Sequence, residues 1–110
     1  MNNKNNKDKT DQQYELEFLT SAANEYGKLD SSVRAQLDKK LIKRLEHPHV
    51  VKDRLSGLDG AYKIKLRKAG VRLIYQVIDN ELVVLVIAVG MRNDKQVYKE
   101  AKKALEDLGN

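Results

Sequence analysis

The chain reads as an α+β domain, with an N-terminal strand, a two-helix hairpin packed on a mainly antiparallel sheet, and a C-terminal helix. Three observations predict this. Tyr62 to Arg67 alternates apolar and basic residues with a period of two, the mark of a half-covered strand. Leu82 to Val89 is almost wholly apolar, so that strand belongs at the centre of the sheet, covered on both faces. Two stripes recur instead at helical spacing: Val33, Leu37, Leu41, Ile42 and Leu45, then Val97, Ala101, Ala104, Leu105 and Leu108. Helical and strand periods in this order give helices on an antiparallel sheet.

The elements follow in sequence. Residues 1–13 are mostly Asn, Lys, Asp and Gln, with nothing to bury, and read as a disordered tail before a domain spanning residues 14–110. Tyr14 to Leu19 alternates and forms a short first strand. Thr20 or Ser21 can cap a helix running to about Lys28, and Asp30 is a good N-cap for the second helix, which Pro48 ends. Its polar face carries Arg34, Lys39, Lys40, Lys43 and Arg44. A loop from His49 to Gly60 leads into a three-stranded meander, with tight turns at 68–71 and 78–81. Asp94 lies near the start of the last helix, and Gly109 lies just past its end.

At 110 residues the chain is long enough for one modest core. It has no cysteine, which removes disulfide and thiol chemistry. No apolar run approaches the roughly 20 residues of a membrane span, and the N-terminus lacks the apolar core of a signal peptide. A soluble cytoplasmic protein is expected. The formal net charge is +5, yet Ser31 to Gln76 holds twelve Lys/Arg against four Asp/Glu, a local +8, so the remainder sums to −3. A field concentrated in this way suits nucleic acid, an anionic membrane or an acidic protein.

The densest part is Tyr62 to Gln76, YKIKLRKAGVRLIYQ, with Lys63, Lys65, Arg67, Lys68 and Arg72 and no acid. A single-sign row on a rigid strand repels itself unless an anion neutralises it. A two-residue turn at Ala69-Gly70 places Arg67 opposite Arg72, Lys65 opposite Ile74 and Lys63 opposite Gln76, so Arg72 shares the lysine face. A turn at Asp79-Asn80 places Arg72 opposite Ile87, and brings Gly90-Met91-Arg92 to the same end of the row. A one-residue slip would turn Arg72 to the other face. Periodicity alone does not separate a phosphate site from a docking face or a solvated surface. His47 and His49 flank Pro48 without a third ligand, and read as a surface loop rather than a metal site.

Leu41 to Glu46, Leu55-Ser56-Gly57, Tyr62 to Arg67, Gly70 to Asp79 and Val89-Gly90-x-Arg92…Val97-Tyr98 resemble the RelE branch of the RelE/ParE toxins, over Tyr14 to about Leu105. The resemblance implies that fold, and a ribosome-dependent endoribonuclease that cuts mRNA in the ribosomal A site and is neutralised by a cognate antitoxin. It implies metal-independent chemistry with no cofactor, in a bacterial or archaeal cytoplasm. By resemblance Lys65 is the general base, Lys63 and Arg72 stabilise the transition state, Arg92 is the general acid, and Tyr98 orients the substrate nucleotide. Like charges around a lysine disfavour its protonated form, which suits a base. Arginine does not readily give up its proton, so Arg92 fits electrostatic stabilisation better than net transfer. Arg67, Lys68, Lys39, Lys40, Lys43 and Arg44 are then candidate contacts to RNA or the ribosome.

The sequence departs from that family after Gly90, where a further basic residue usually stands on each side of the catalytic arginine. Here those positions are Met91 and Asp94. Two alternatives follow: a ParE-like protein that poisons DNA gyrase by contact, and a weakened ribosome- or RNA-binding module.

Overall fold

The computed structural model describes residues 13–91 and 94–109; residues 1–12 of the expected tail, and Arg92, lie outside the described residues. Four strands, β1 (Glu15–Phe18), β2 (Ala61–Leu66), β3 (Val71–Ile78) and β4 (Val83–Gly90), form one sheet in the order β1-β4-β3-β2. β1 runs parallel to β4, and the other neighbours are antiparallel. Helices α1 (Thr20–Gly27) and α2 (Ser31–Glu46) connect β1 to β2 by way of a loop, and α3 (Asp94–Gly109) is the last described element, its final residue being Gly109, which was expected just past its end.

The helices start where local chemistry allows. α1 begins at Thr20 itself, with extended Leu19 in the cap position and no side-chain cap, so neither Thr20 nor Ser21 caps it. Asp30 does hold the cap position of α2, but its backbone carbonyl does the work, accepting from the N–H groups of Val33 and Arg34 at 3.0 Å each. Its carboxylate complements the helix dipole without a cap bond of its own. Lys43 and Arg44 fall in the last turn, where cations are favoured, and Pro48 lies just beyond.

Each face of the sheet has its own core. On one face Tyr62, Ile64, Leu66, Val71, Leu73 and Tyr75 pack with Ala22 of α1 and Leu37 and Leu41 of α2. On the other, Ala61, Ile74, Val83, Leu85 and Ile87 pack with Val97 and Ala101 of α3. β4 is buried along almost its whole length, as its apolar run predicts. Ile42 departs from the expected stripe: it follows Leu41 by one position, turns outward and is 56% exposed.

The register differs from the expected one. Lys65 pairs with Arg72, Lys63 with Ile74 and Ala61 with Gln76, two residues away from the two-residue-turn arrangement. The turn spans four residues, 67–70, closed by the Gly70 N–H to the Leu66 and Arg67 carbonyls at 2.9 and 3.2 Å, with Gly70 at φ +70°. An even slip preserves side-chain parity, so Arg72 stays on the lysine face. Between β3 and β4, Tyr75 pairs with Val86 but Ile74 with Ala88, leaving Ile87 as an extra residue in a bulge. The turn before β4 spans residues 79–82 rather than Asp79-Asn80 alone, with Ile78 opposite Val83; this two-residue shift and the bulge together put Arg72 opposite Gly90, not Ile87.

Candidate active site

The site arises where α3 stops covering the sheet. β2 is an edge strand, and its α3-side face carries Lys63 and Lys65. α3 packs on β3 and β4, so the basic face of β2 is left beside the first turn of the helix. A cleft of about 240 Å³ opens there, floored by Leu55, Ile74 and Val97 and walled by Lys63, Arg72, Asp94, Lys95 and Tyr98. Lys65 adjoins it through Asp94. Cross-strand pairing places Lys65 directly against Arg72, and the end of β4 lies on the other side of Arg72, with Gly90 opposite it.

Asp94, the first residue of α3, joins these cations. Its Oδ1 accepts from Arg72 Nε, and its Oδ2 lies 3.3 Å from Lys65 Nζ. The Arg72 hydrogen bond holds the Asp94 carboxyl below the usual carboxylate range; partial burial opposes this, and the Lys65 contact adds to it. The crowding of like charges expected from the sequence thus meets a counter-charge. Both cations are about three-quarters covered, whereas the Asp94 side chain is 57% exposed.

Tyr98 crosses from α3 to the loop before β2, its hydroxyl donating to the Ser56 carbonyl at 2.9 Å. Gly57 leaves room for that ring: a Cβ there would come within 2.7 Å of the Tyr98 hydroxyl, and φ is +82°. Lys63, Lys65, Arg72 and Tyr98, predicted from separate parts of the sequence, are thus brought together.

The remaining candidates divide. Arg67 and Lys68 are exposed in the turn beyond β2, adjoining the Lys65/Arg72 end of the row. Lys39, Lys40 and Lys43 are exposed on α2, on the opposite side of the sheet from the cleft. Arg44 leaves the exposed basic face altogether. Its guanidinium pairs with Asp53 at 2.7 Å, donates to the Tyr75 hydroxyl at 2.8 Å and to the Lys63 carbonyl at 3.2 Å, and lies over the Tyr75 ring. Tyr75, fully buried, donates its hydroxyl hydrogen to the Pro48 carbonyl at 2.8 Å. Arg34 is also drawn inward, donating to the Gly27 and Leu29 carbonyls. Arg44 is therefore a staple behind β2, not a surface cation.

Sequence reasoning gave no role to the apolar floor, to Lys95 or to Ser56. It read Asp94 as a lost cation rather than as a partner of Lys65 and Arg72. His49 does not sit beside the cleft residues; it pairs with Asp79 at 2.9 Å, and Asp79 also accepts from the Tyr14 hydroxyl at 2.6 Å. Among the described residues no group of three or more His, Asp or Glu is arranged to hold a metal ion, and no helix is long and apolar enough to cross a membrane.

Comparison with known proteins places the chain in a family. Residues 16–96 match the ParE toxin of type II toxin–antitoxin system, parDE. The mRNA interferase toxin RelE of Escherichia coli K12 is 50% identical over 92 residues, 84% of this chain and 97% of that protein, and the mRNA interferase RelE of Shigella flexneri matches equally. Among solved structures, a double-alanine mutant of E. coli toxin RelE in the free state superposes with a TM-score of 0.78 at 49% identity, covering 84% of this chain and 97% of that one. The toxin of the intact E. coli RelBE toxin–antitoxin complex gives 0.71 at 50% identity, over 73% and 98%. With nearly the whole of those toxins matched at half identity, the chain belongs to the RelE branch of the RelE/ParE family of type II toxins.

Proposed function

We propose that this toxin is an mRNA interferase, cutting mRNA held in the ribosomal A site, and that a cognate antitoxin neutralises it. The observation that carries the reading is the pairing of Lys65 with Arg72 beside Lys63 and Tyr98 on one uncovered sheet face. Such a face can hold a phosphodiester by charge and its nucleotide by an aromatic wall.

In the reaction proposed, the ribose 2′-oxygen forms a bond to phosphorus as the P–O5′ bond breaks, giving a 2′,3′-cyclic phosphate and a 5′-hydroxyl end. Lys65 takes the proton from the 2′-hydroxyl. Lys63 and Arg72 face the charge that grows on the phosphoryl oxygens, where fixed cations act more strongly than solvent. Tyr98, held by Ser56, orients the nucleotide above the apolar floor. Arg92, which stands between Met91 and Asp94 in the sequence, assists departure of O5′ by resemblance to the family, its fixed charge stabilising the leaving oxygen while O5′ takes its proton from solvent. The ribosome contributes by holding the strand in line, so that orientation carries much of the rate. Arg67 and Lys68, next to the row, and Lys39, Lys40 and Lys43, behind it, are proposed as separate contacts to RNA.

The test is cleavage of mRNA on ribosomes programmed with a defined A-site codon, with free mRNA in parallel. Codon-positioned cuts with 5′-hydroxyl ends on ribosomes, lost in Arg72→Ala and Arg92→Ala, are the expected result. Ribosome binding without any cut would contradict it and leave a binding protein.

A further inference from the structure

Asp94 is the sole acid among the described residues lining the cleft, and it is placed against the two cations on which the proposed chemistry depends. Its oxygens are divided, one to Arg72 and one to Lys65. In the reaction proposed above, the substrate brings a non-bridging phosphoryl oxygen to Arg72 and its 2′-hydroxyl to Lys65, so it needs both of the contacts that this carboxylate holds. We propose that the Asp94 carboxylate is an internal occupant of the scissile-phosphate site, which the substrate must displace. This rests on the nuclease reading above and adds a positioning residue acting through Lys65 and Arg72.

The arrangement lets it leave. The side chain is 57% exposed, so it can turn into solvent without being buried unpaired. Each ion pair at such exposure typically shifts an equilibrium by roughly 1.4- to fivefold, so displacing both costs the substrate about two- to twenty-five-fold in affinity. A strand that the ribosome holds in place meets this cost through its effective concentration; a free anion or a free RNA does not. Asp94 would thereby favour delivered substrate. The plain alternative is an acid that only complements the start of α3. In that case its removal would lower helix stability and leave anion binding alone.

Three full-length variants separate these. Asp94→Asn keeps the shape and loses the charge, Asp94→Ser loses the charge with a smaller side chain that suits a helix start should Asn disturb α3, and Asp94→Glu restores the charge. The probe is an RNA trinucleotide with 2′-O-methyl riboses, which binds but cannot be cut, titrated calorimetrically at fixed low salt. Asp94→Asn and Asp94→Ser are expected to bind it about two- to twenty-five-fold more tightly than the parent, and Asp94→Glu to return toward parental affinity. On programmed ribosomes the same gain should appear in KM. Equal or weaker binding by the neutral variants, or a fall in kcat with KM unmoved, would overturn the proposal. If neither parent nor variants cut, the nuclease reading fails, while the binding titration still decides whether Asp94 occupies an anion site.

Discussion

One face of the sheet is closed and the other half open, and the two use their charges in opposite ways. Beneath α1 and α2, Arg44 is enclosed by Asp53, Tyr75 and the Lys63 carbonyl, with its side chain only 15% exposed. Beneath α3, Lys65 and Arg72 meet a single half-exposed carboxylate at the mouth of a cleft. A cation whose donors are satisfied by fixed protein groups holds the fold; a cation whose partner can move away is available to a ligand. The two sets lie back to back on the same strands, since Arg44 grips the backbone of the residue whose side chain enters the cleft. The closed face thus braces the open one.

The sharpest way to break this contrast is to remove charges from each face. Lys65→Ala and Arg72→Ala should lower codon-positioned cleavage by about 10²- to 10⁴-fold, or about 3–5 kcal/mol of transition-state stabilisation. Urea denaturation of the same variants should show little loss of stability. Arg44→Ala should do the reverse, costing about 3 kcal/mol of stability because Asp53 and the Tyr75 hydroxyl lose a partner while largely covered. Arg44→Lys should recover only part of it, since one ammonium cannot reproduce the planar fork. Equal denaturation midpoints for Arg44→Ala and the parent would show that the staple does not brace the fold.

Smaller effects refine the picture. Gly57→Ala forces a left-handed backbone on alanine and drives a methyl into the Tyr98 hydroxyl. About 1–2 kcal/mol of stability should be lost, with KM rising as Tyr98 moves; an unchanged KM would remove Tyr98 from nucleotide binding. Alanine at Lys39, Lys40 and Lys43 together should leave stability within about 0.5 kcal/mol per site and act only on the salt dependence of ribosome binding. The weakest effect concerns the clasp at the first strand. The hydrogen bond to Asp79, aided by burial, pushes the Tyr14 hydroxyl up to about 12. A raised folded value means that stability is fully present below the ordinary value near 10 and is lost as pH rises from there through about 12. Tyr14→Phe should flatten that part of the alkaline denaturation curve, and an unaltered slope would count against the clasp.

How much of this the sequence disclosed depended on whether parity or distance was being asked. Faces were legible: alternation in Tyr62 to Arg67 put Lys63 and Lys65 together, and the two-residue slip in register could not move Arg72 off their face. Exact partners were not, because Lys68-Ala69-Gly70 does not specify a two- or a four-residue turn. The bulge at Ile87 was hidden for a related reason: an all-apolar strand has no alternation to report a switch of parity. Arg44 could have been found. It follows Leu41 by three positions and Leu37 by seven, the spacing of the buried stripe, whereas Ile42 falls off it. Charge type overrode position in that reading. The role of Asp94 needed the three-dimensional meeting of α3 with β2 and β3, which no local pattern encodes.

The central claim is that the open face performs the chemistry and the far face of α2 only docks. Steady-state cleavage on programmed ribosomes, comparing Lys65→Ala with the triple alanine variant at Lys39, Lys40 and Lys43, tests it most directly. The account predicts that Lys65→Ala loses kcat while still binding ribosomes, and that the triple variant keeps kcat and changes KM with salt. Loss of kcat in the triple variant, with Lys65→Ala cutting at the parental rate, would contradict it.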